Sequence, residues 1–282
     1  MNPTTDWFDV TRYSDSIREI EDTEGVRIFL VEGEERALVI DAGRGIGNLR
    51  DLVAELTDLP VTLALTHWHW DHIGSAAEFE DVRIHPAERA ADGRVTVDAV
   101  TDEFVGSAAD FIDEWRAAGK ELPAGIDDQF ELDPVPAENV SPLAPGDHID
   151  LGDRGIEAIH IPGHTPGQLA LLDREAGVLF GADVIHRDLG QKLHFETGDV
   201  TAAQGTFADL VGLREAGVFD ALLTCHNPPI EGADLDILRR YRNGLAEIIA
   251  DKRDYSVVDT GRTEAREYRI AGHEVLTQVE QP

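Results

Sequence analysis

Short apolar runs and polar turns alternate through the first quarter of the chain and predict a sheet with one helix. Residues 26–31 and 36–40 are β-type runs, and the polar residues 32–35 between them predict a hairpin. Apolar residues at helical spacing predict a helix over residues 46–56. Residues 61–65 are almost continuously apolar, which is typical of a strand buried on both faces.

Strand and helix patterns return further along the chain. Residues 82–85 predict a strand, and the apolar residues within 103–118 recur near the helical period and predict a helix. Further strands are predicted at residues 148–151, 156–161, 169–172, 178–180 and 221–224, and further helices at 202–216 and 235–250. Two β-rich halves, each accompanied by helices, predict an α/β protein with two sheets packed together and helices outside.

A segment rich in proline, glycine and acidic residues separates the two halves, above all over residues 122–145. Such composition is typical of loop-rich structure. We interpret residues from about 92 to 145 as an inserted lid or helical segment within a single domain that covers residues 1–282. The sequence leaves open whether this segment is a lid, a dimer contact or both, and so leaves a homodimer open.

The composition is that of a globular protein. With 282 residues, of which 42% are hydrophobic, the chain can bury a sizeable core. No run approaches the roughly 18 apolar residues of a transmembrane helix, and the polar start of the chain is unlike a signal peptide. The one cysteine, Cys225, cannot form an internal disulfide. We therefore expect a cytoplasmic protein without a membrane partner.

The charge balance is strongly acidic. The chain has 56 Asp and Glu residues against 24 Lys and Arg residues, a formal net charge of -32, and the acids are spread along its whole length. Molar salt shortens the Debye length to about 3 Å and screens such self-repulsion, so we expect a halophilic protein in a high-salt cytoplasm. A merely acidic protein is the alternative. Nucleic acid is not an expected partner, because no basic stripe is present to neutralise phosphates.

The strongest chemical signal begins where the predicted strand 61–65 ends. This segment reads Thr66-His67-Trp68-His69-Trp70-Asp71-His72. In an extended loop, successive side chains point to opposite sides of the backbone, so His67 and His69 project to the same side and can bind one metal ion. Asp71 and His72 then offer an oxygen and a nitrogen to a neighbouring position. Imidazole and carboxylate ligands suit zinc in catalytic sites, and the segment has no cysteine of the kind that closes a structural site.

Three more candidate ligands stand at the ends of predicted strands. His164 lies in the tight turn Gly163-His164-Thr165-Pro166-Gly167, and Asp183 and His226 each follow a short apolar run. A carboxylate such as that of Asp183 is costly to bury unless a cation compensates it. Taken singly, each of these residues is more often an ordinary loop residue. Taken together, they end strands that could share a sheet, which favours a shared site.

The order of these motifs resembles the metallo-β-lactamase superfamily over about residues 26–240. The resemblance implies a four-layer αββα sandwich and a dinuclear site with two divalent metal ions. Zinc is the expected metal, with iron and manganese as alternatives. It further implies that His67, His69 and His164 hold one ion, that Asp71, His72 and His226 hold the other, and that Asp183 bridges both.

Two further residues gain roles from the resemblance. Asp41 matches an aspartate that orients a ligand histidine through its ring nitrogen. His186 lies three residues after Asp183, where lactonase-like relatives place a side chain that contacts the substrate. The alternative for His186 is a solvent-facing loop histidine. Two cations lower the pKa of a shared water toward neutrality. Asp71 is expected to take the proton of this water after it attacks the substrate. The predicted catalytic residues are therefore Asp71 and His186.

Within the superfamily, the sequence is more similar to the glyoxalase II, lactonase and ribonuclease Z branches than to true β-lactamases. The histidine His72 and the acid Asp183 carry this distinction, whereas Asn227 stands where a glycine is usual. We therefore expect a hydrolase acting on a small-molecule thioester, ester or lactone. The alternatives are an oxidoreductase similar to persulfide dioxygenases, with a single iron, and a phosphodiesterase similar to ribonuclease Z.

Overall fold

The computed structural model describes residues 7–101, 106–122, 126, 130–261 and 263–279 of the chain. These residues form two compact units. The first unit extends to Ala144 and also includes Ile149–Gly155, and the second comprises Pro145–His148 and the chain from Ile156 onward. The prediction of a single domain with an insertion stays a prediction.

The first unit contains a seven-stranded sheet in which each strand lies beside its neighbour in sequence. The strands are β1 (Phe8–Arg12), β2 (Ile17–Asp22), β3 (Arg27–Glu32), β4 (Ala37–Ile40), β5 (Val61–Ala64), β6 (Val82–Ile84) and β7 (Val140–Pro142). Its helices are α1 (Leu49–Leu56), the short α2 (Trp70–Ile73) and α3 (Ala108–Ala117). The pairs from β1 to β4 are antiparallel, and those from β4 to β7 are parallel.

The predicted hairpin and the predicted buried strand are both present. Strands β3 and β4 pair in antiparallel fashion, with Glu32 opposite Ala37. Strand β5 lies between two parallel neighbours, and three of its four residues are buried. Because both faces of such a strand are covered, its residues need not alternate between polar and apolar, which explains the apolar run. The C-terminal end of β5 leads directly into the histidine-rich loop.

Two helices begin later than the sequence pattern predicts. Helix α1 starts at Leu49 rather than at residue 46, because the side chain of Asn48 caps the helix by accepting a hydrogen bond from the Asp51 N–H at 2.8 Å. Helix α3 starts at Ala108 rather than at residue 103, and Ser107 caps it in the same way. Glu103 and Phe104, which belong to the predicted helix, lie outside the described residues. Apolar periodicity alone does not show where a capping side chain ends a helix.

The insertion belongs to the first unit. Within the segment of residues 92–145 that the sequence predicts as an insertion, Val140–Pro142 form strand β7 of the sheet, and Val95 and Val135 form an antiparallel bridge. Between them, helix α3 packs through Ile112 and Phe111 against an aromatic cluster that includes Trp7. Its proposed roles as a lid or a dimer contact stay predictions.

The histidine-rich loop ends at a close approach of two backbones. Gly74 follows α2, and its N–H donates to the Gly43 carbonyl oxygen at 2.8 Å. A Cβ atom added at Gly74 would lie 2.0 Å from the backbone nitrogen of Gly45. Only glycine fits this contact, because the atoms that a side chain would meet are backbone atoms that cannot rotate away.

The second unit contains two sheets. Its strands are β9 (Gly155–His160), β10 (Leu169–Asp173), β11 (Val178–Phe180), β12 (Gln191–Leu193), β13 (Ala221–Leu223), β14 (Ile230–Glu231), β15 (Ser256–Asp259), β16 (Glu264–Ile270) and β17 (His273–Gln278), and β8 (His148–Asp150) lies where the chain passes between the units. The part of the first sheet that belongs to the second unit has the order β14-β13-β11-β10-β9. Helices α4 (Val200–Glu215) and α5 (Asp236–Ile249) share a core in which the rings of Phe207 and Tyr241 stack at 5.0 Å.

A further sheet, of the order β12-β17-β16-β15, is absent from the sequence prediction of two sheets. The sequence patterns place no element after residue 250, where three of the four strands of this sheet lie. Strand β12 has only three residues, and it pairs in parallel with β17, which lies more than 80 positions later. A local sequence pattern therefore does not predict this strand. Among the described residues, no helix combines the length and apolar character needed to cross a bilayer.

The close approach at Gly74 yields a stability prediction. We expect Gly74→Ala to lower the free energy of unfolding by about 1–3 kcal/mol, as overpacking does. The matched control is Gly205→Ala within α4, where an added Cβ meets nothing within 4 Å. That change should raise the free energy of unfolding by roughly 0.5–1 kcal/mol, because alanine is the better helix former. Denaturant unfolding of both variants measures the difference, and equal effects would contradict the close approach.

Candidate metal centre

The histidine-rich loop brings three imidazole rings together in the first unit. The ring centroid of His67 lies 4.7 Å from that of His69 and 4.1 Å from that of His72. All three histidines are buried, and Asp71 lies beside them with its Oδ1 atom 3.8 Å from His72 Nε2. The predicted ligands of this unit therefore form one cluster of nitrogen and oxygen donors.

Asp41 holds this cluster in place through hydrogen bonds to Thr66 and His72. Its carboxylate accepts hydrogen bonds from the Thr66 N–H at 2.7 Å and from the Thr66 hydroxyl at 2.8 Å, and its Oδ2 atom lies 2.9 Å from His72 Nδ1. A carboxylate at Nδ1 keeps the proton of a neutral imidazole on that nitrogen and leaves the Nε2 lone pair for a cation. The contact is the one that the resemblance implies for Asp41, and His72 is the histidine that it orients.

Thr66 extends the same arrangement to His67. The hydroxyl of Thr66 donates to Asp41, so its lone pairs face His67 Nδ1, which lies 3.0 Å away. In neutral His67 this contact places the proton on Nδ1. The Nε2 atom is then the coordinating atom. One buried carboxylate thus controls two candidate ligands, one directly and one through a threonine.

Glu88 is a functional residue that the sequence analysis missed. Its side chain is fully buried, and its Oε2 atom accepts a hydrogen bond from the Trp68 N–H at 3.1 Å. This bond holds the backbone between His67 and His69. The ring of Trp68 is also fully buried and lies 4.8 Å from the ring of His69, so it supports this part of the loop by packing. No local signal marks Glu88, because the contact joins residues 20 positions apart.

The tryptophan on the other side of His69 connects the loop to the insertion. The ring of Trp70 lies 6.2 Å from that of Phe111 on α3. The Arg44 guanidinium lies over both rings, at 5.9 Å from Trp70 and 4.8 Å from Phe111, and forms a buried ion pair with Asp22. Helix α3 therefore packs directly against the loop that carries the candidate ligands.

In the second unit, Asp183 and His226 come together because their strands are neighbours. Strands β11 and β13 pair in parallel, with Phe180 opposite Leu223, so the residues that follow each strand emerge at the same edge of the sheet. The Oδ2 atom of Asp183 lies 3.2 Å from His226 Nε2. Both side chains are 2% exposed, so the carboxylate is shielded from water.

His164 completes this second cluster. Its Nδ1 atom lies 2.8 Å from the Lys192 carbonyl oxygen, to which it donates, and its Nε2 atom lies 3.6 Å from Asp183 Oδ2. With the proton of the neutral ring on Nδ1, a lone pair of Nε2 faces a lone pair of the carboxylate. Such a contact is repulsive by itself and becomes favourable when a cation lies between the two atoms.

His186 belongs to the same cluster and is not a solvent-facing loop residue. Its side chain is 12% exposed, its Nε2 atom lies 3.6 Å from Asp183 Oδ2, and its ring centroid lies 4.2 Å from that of His226. Burial, followed by the nearby His226 and Lys192, holds the pKa of His186 well below its usual value of 6.5. The ring is therefore neutral at pH 7 and keeps one N–H for donation.

Asn227 was noted in the sequence only as a departure from the usual glycine, and the structure shows what it does. Its Nδ2 atom donates to the carbonyl oxygens of His186 at 2.9 Å and Ile185 at 3.2 Å, and its Oδ1 atom accepts from the Leu189 N–H at 3.1 Å. Asp188 and Leu189 both have positive φ angles, a strained conformation that needs such support. The hydrogen bonds of Asn227 thus connect the loop that carries His186 with the end of the strand that precedes His226.

Three other residues near the clusters have simpler surroundings. His194 is buried with its ring 4.2 Å from that of Phe195, so it is a packed residue rather than a solvated one. Lys192 and His186 both line a cavity of about 340 Å³. Cys225 is buried, as expected of a small core residue.

The donor sets of both clusters fit divalent metal ions. Each consists of imidazole nitrogens and carboxylate oxygens, which are the ligands of catalytic zinc, iron and manganese sites. Within the second unit, Asp183, His186 and His226 place their donor atoms within 4.8 Å of one another. In the neutral rings of His72 and His164, the acceptors at Nδ1 favour a proton on that nitrogen and leave the Nε2 lone pair for a metal ion.

The sequence profile of the metallo-beta-lactamase superfamily matches residues 22–250. An acyl-coenzyme A thioesterase MBLAC2 from Bos taurus is 32% identical over 216 residues, which cover 71% of this chain and 72% of that protein. The protein of the same name from Gallus gallus is 36% identical over 172 residues, and this match spans 56% of the chain and 57% of the length of that relative. The hydroxyacylglutathione hydrolase GloC of Haemophilus influenzae is 24% identical over 60% of this chain and 70% of that protein.

Solved structures support the same fold. A metallo-beta-lactamase from Pontibacter korlensis superposes with a TM-score of 0.57 at 16% identity, covering 85% of this chain and 99% of that chain. A metallo-beta-lactamase family protein from Thermus thermophilus gives a TM-score of 0.52 at 21% identity, covering 80% of this chain and 75% of that chain. The predicted α/β fold of the metallo-β-lactamase type is therefore confirmed. This chain belongs to the metallo-β-lactamase superfamily.

Proposed function

We propose that this protein hydrolyses small-molecule thioesters with a dinuclear zinc centre. In this proposal one ion is held by His67, His69 and His164, the other by Asp71, His72 and His226, and Asp183 binds both. The assignment follows the superfamily resemblance, and the donor chemistry of each cluster supports it. Iron and manganese are the alternative metals, because the same ligand types suit them.

One observation carries the proposal. The Nε2 atoms of His164, His186 and His226 all lie within 3.6 Å of a single carboxylate oxygen of buried Asp183. A structural histidine cluster would use its rings to donate hydrogen bonds. Here His164 donates elsewhere through Nδ1, so the neutral ring presents an Nε2 lone pair to the carboxylate, a contact that a metal ion between the two atoms makes favourable. A buried carboxylate surrounded in this way suits a metal bridge.

The bound metals would supply a Lewis acid for the substrate carbonyl and a water made acidic enough to ionise near neutral pH. The chain provides the remaining steps. Water adds to the thioester carbonyl carbon, the carbon–sulfur bond breaks, and Asp71 accepts the proton that the thiolate then takes up. His186, neutral at pH 7, donates a hydrogen bond to the substrate or the departing sulfur. The products are a carboxylic acid and a thiol.

The substrate class is supported by the relatives. Two of them are named as acyl-coenzyme A thioesterases, and a more distant one as a hydroxyacylglutathione hydrolase. A carbonyl attached to sulfur is therefore favoured over a lactone or a simple ester. The net charge of -32 opposes a polyanionic RNA substrate, which makes a phosphodiesterase similar to ribonuclease Z the weaker alternative. We further propose a cytoplasm of high salt as the working environment, since molar salt screens this charge.

Metal content and a substrate panel together test the function. Purified protein should contain two zinc ions per chain by mass spectrometry of the metals. In molar salt, it should hydrolyse acyl thioesters in preference to lactones and bis-aryl phosphodiesters, and chelation should abolish the activity until zinc is restored. One iron per chain with oxygen consumption on a persulfide would instead establish the dioxygenase alternative.

The anchoring of His72 predicts the effect of changing Asp41. Asp41→Ala removes the acceptor at His72 Nδ1 and both hydrogen bonds to Thr66, so metal affinity should fall by about 10- to 100-fold. Competition with a fluorescent chelator measures this affinity. Asp51→Ala, which changes an exposed acid on α1, is the matched control and should leave metal affinity unchanged. If both variants bind metal as tightly as the parent protein, Asp41 does not orient a ligand.

The role of His186 can be separated from metal binding. His186→Ala should keep the full metal content while kcat falls by about 10²- to 10⁴-fold, because a positioned proton donor is lost. His226→Ala should lose metal. Loss of an ion from His186→Ala would make His186 a ligand instead of a substrate contact.

The kinetics of single and double variants test whether Asn227 acts through His186. Asn227→Ala alone should lower kcat/KM by about tenfold, and its effect should vanish when His186→Ala is already present, since coupled residues are not additive. Asn243→Ala, on the exposed face of α5, is the control. Additive losses in the double variant would show that Asn227 acts elsewhere.

A further inference from the structure

Arg44 is buried between the histidine-rich loop and helix α3 of the insertion. Its side chain is 7% exposed, and its Nη1 atom lies 2.7 and 2.5 Å from the two carboxylate oxygens of Asp22. The central carbon of the guanidinium lies 4.8 Å from the ring centroid of Phe111 and 5.9 Å from that of Trp70. The attraction between a planar cation and an aromatic ring depends on orientation, so the arginine fixes how the two rings lie.

Arg44 is itself held in place from two directions. The Asp22 carboxylate also accepts a hydrogen bond from the Val26 N–H at 2.9 Å, which fixes its orientation toward the arginine. The backbone just before Arg44 is bonded to α2, because the Ala42 N–H donates to the His72 carbonyl oxygen at 2.7 Å. Arg44 is therefore a fixed support and not a mobile surface side chain.

Trp70 is the residue through which this support reaches the candidate ligands. It is the first residue of α2 and stands between His69 and Asp71. Its ring lies 6.2 Å from that of Phe111. A displacement of Trp70 would move the backbone of both neighbours, and the groups of such a site must be held to within about 0.5 Å. Because Phe111 belongs to α3, the positions of these two ligands depend on how α3 is docked.

Helix α3 has a second attachment, further along the helix. The Lys120 ammonium lies 4.1 Å from the ring centroid of Trp115 and 2.6 Å from Glu24 Oε1. Both partners of this ion pair are partly exposed, so molar salt weakens their attraction. The pair of Arg44 and Asp22 is buried and is screened much less. The attachment through Arg44 therefore persists at high ionic strength.

We propose that Arg44 and Phe111 are positioning residues of the metal centre, which couple the docking of α3 to metal affinity. They act through Trp70, whose position sets those of His69 and Asp71. The inference rests on the proposed metal centre. Such coupling is reciprocal, so a metal ion that binds more tightly when α3 is docked must stabilise the docked helix by the same factor. The insertion thereby gains a role in metal binding.

Two matched substitutions on α3 test the proposal. Phe111→Leu removes the ring that contacts Arg44 and Trp70, whereas Trp115→Leu removes a ring of the same aromatic cluster that contacts Lys120. Leucine keeps an apolar side chain and favours a helix in both variants. In molar salt, the zinc affinity measured by competition with a fluorescent chelator should fall by about tenfold in Phe111→Leu. The affinity of Trp115→Leu should stay close to that of the parent protein.

A change at Arg44 provides an independent variant. Arg44→Lys keeps a charge opposite Asp22 but removes the planar group over the rings, so it should lower zinc affinity by about tenfold as well. The double variant with Phe111→Leu should lose little more than either single variant, because both residues act through Trp70. Denaturant unfolding shows first that each variant is folded, and Arg44→Lys carries the comparison with Trp115→Leu if Phe111→Leu is not.

Hydrogen exchange of the α3 amides gives a readout that does not depend on turnover. Zinc should slow this exchange by about tenfold in the parent protein and in Trp115→Leu, and the protection should be lost in Phe111→Leu and Arg44→Lys. Equal zinc affinity and equal protection of α3 in the Phe111 and Trp115 variants would overturn the coupling while leaving the metal centre in place. A folded parent protein that binds no zinc would instead overturn the proposed centre itself.

Discussion

A carboxylate removed from water must be compensated, and this requirement organises both clusters of candidate ligands. In the first unit, Asp41 is compensated by hydrogen bonds from Thr66 and by the ring of His72. In the second unit, Asp183 faces three imidazole nitrogens, and the neutral ring of His164 turns a lone pair toward it. Asp41 therefore acts as an anchor for ligands, whereas Asp183 has the surroundings of a ligand itself.

The supports of these side chains are built from distant parts of each unit. Glu88 holds the backbone at Trp68, and the close approach at Gly74 fixes the end of the same loop. In the second unit, Asn227 and Tyr241 hold the loop after His186 in its strained conformation. Rigid support of this kind keeps reacting groups in a productive geometry, which is why residues without chemistry of their own matter to such a site.

What the sequence could predict was local. The hairpin of β3 and β4, the buried strand β5 and the histidine motif each lie within a few consecutive residues, and periodicity or ligand spacing reveals them. The starts of α1 and α3 depended on caps, which apolar periodicity does not record. The sheet of β12 with β15 to β17, the contact of Glu88 and the hydrogen bonds of Asn227 join residues 20 to more than 80 positions apart. Local patterns in a single sequence do not predict contacts between residues so far apart.

The assignment of seven ligands to two ions is the central claim, and diffraction from metal-loaded crystals at the zinc absorption edge tests it most directly. We predict two anomalous peaks per chain, roughly 3.5–4 Å apart. One peak should be bonded to His67, His69 and His164, the other to Asp71, His72 and His226, with Asp183 touching both. A single peak, or two peaks whose ligands all come from one unit, would contradict it.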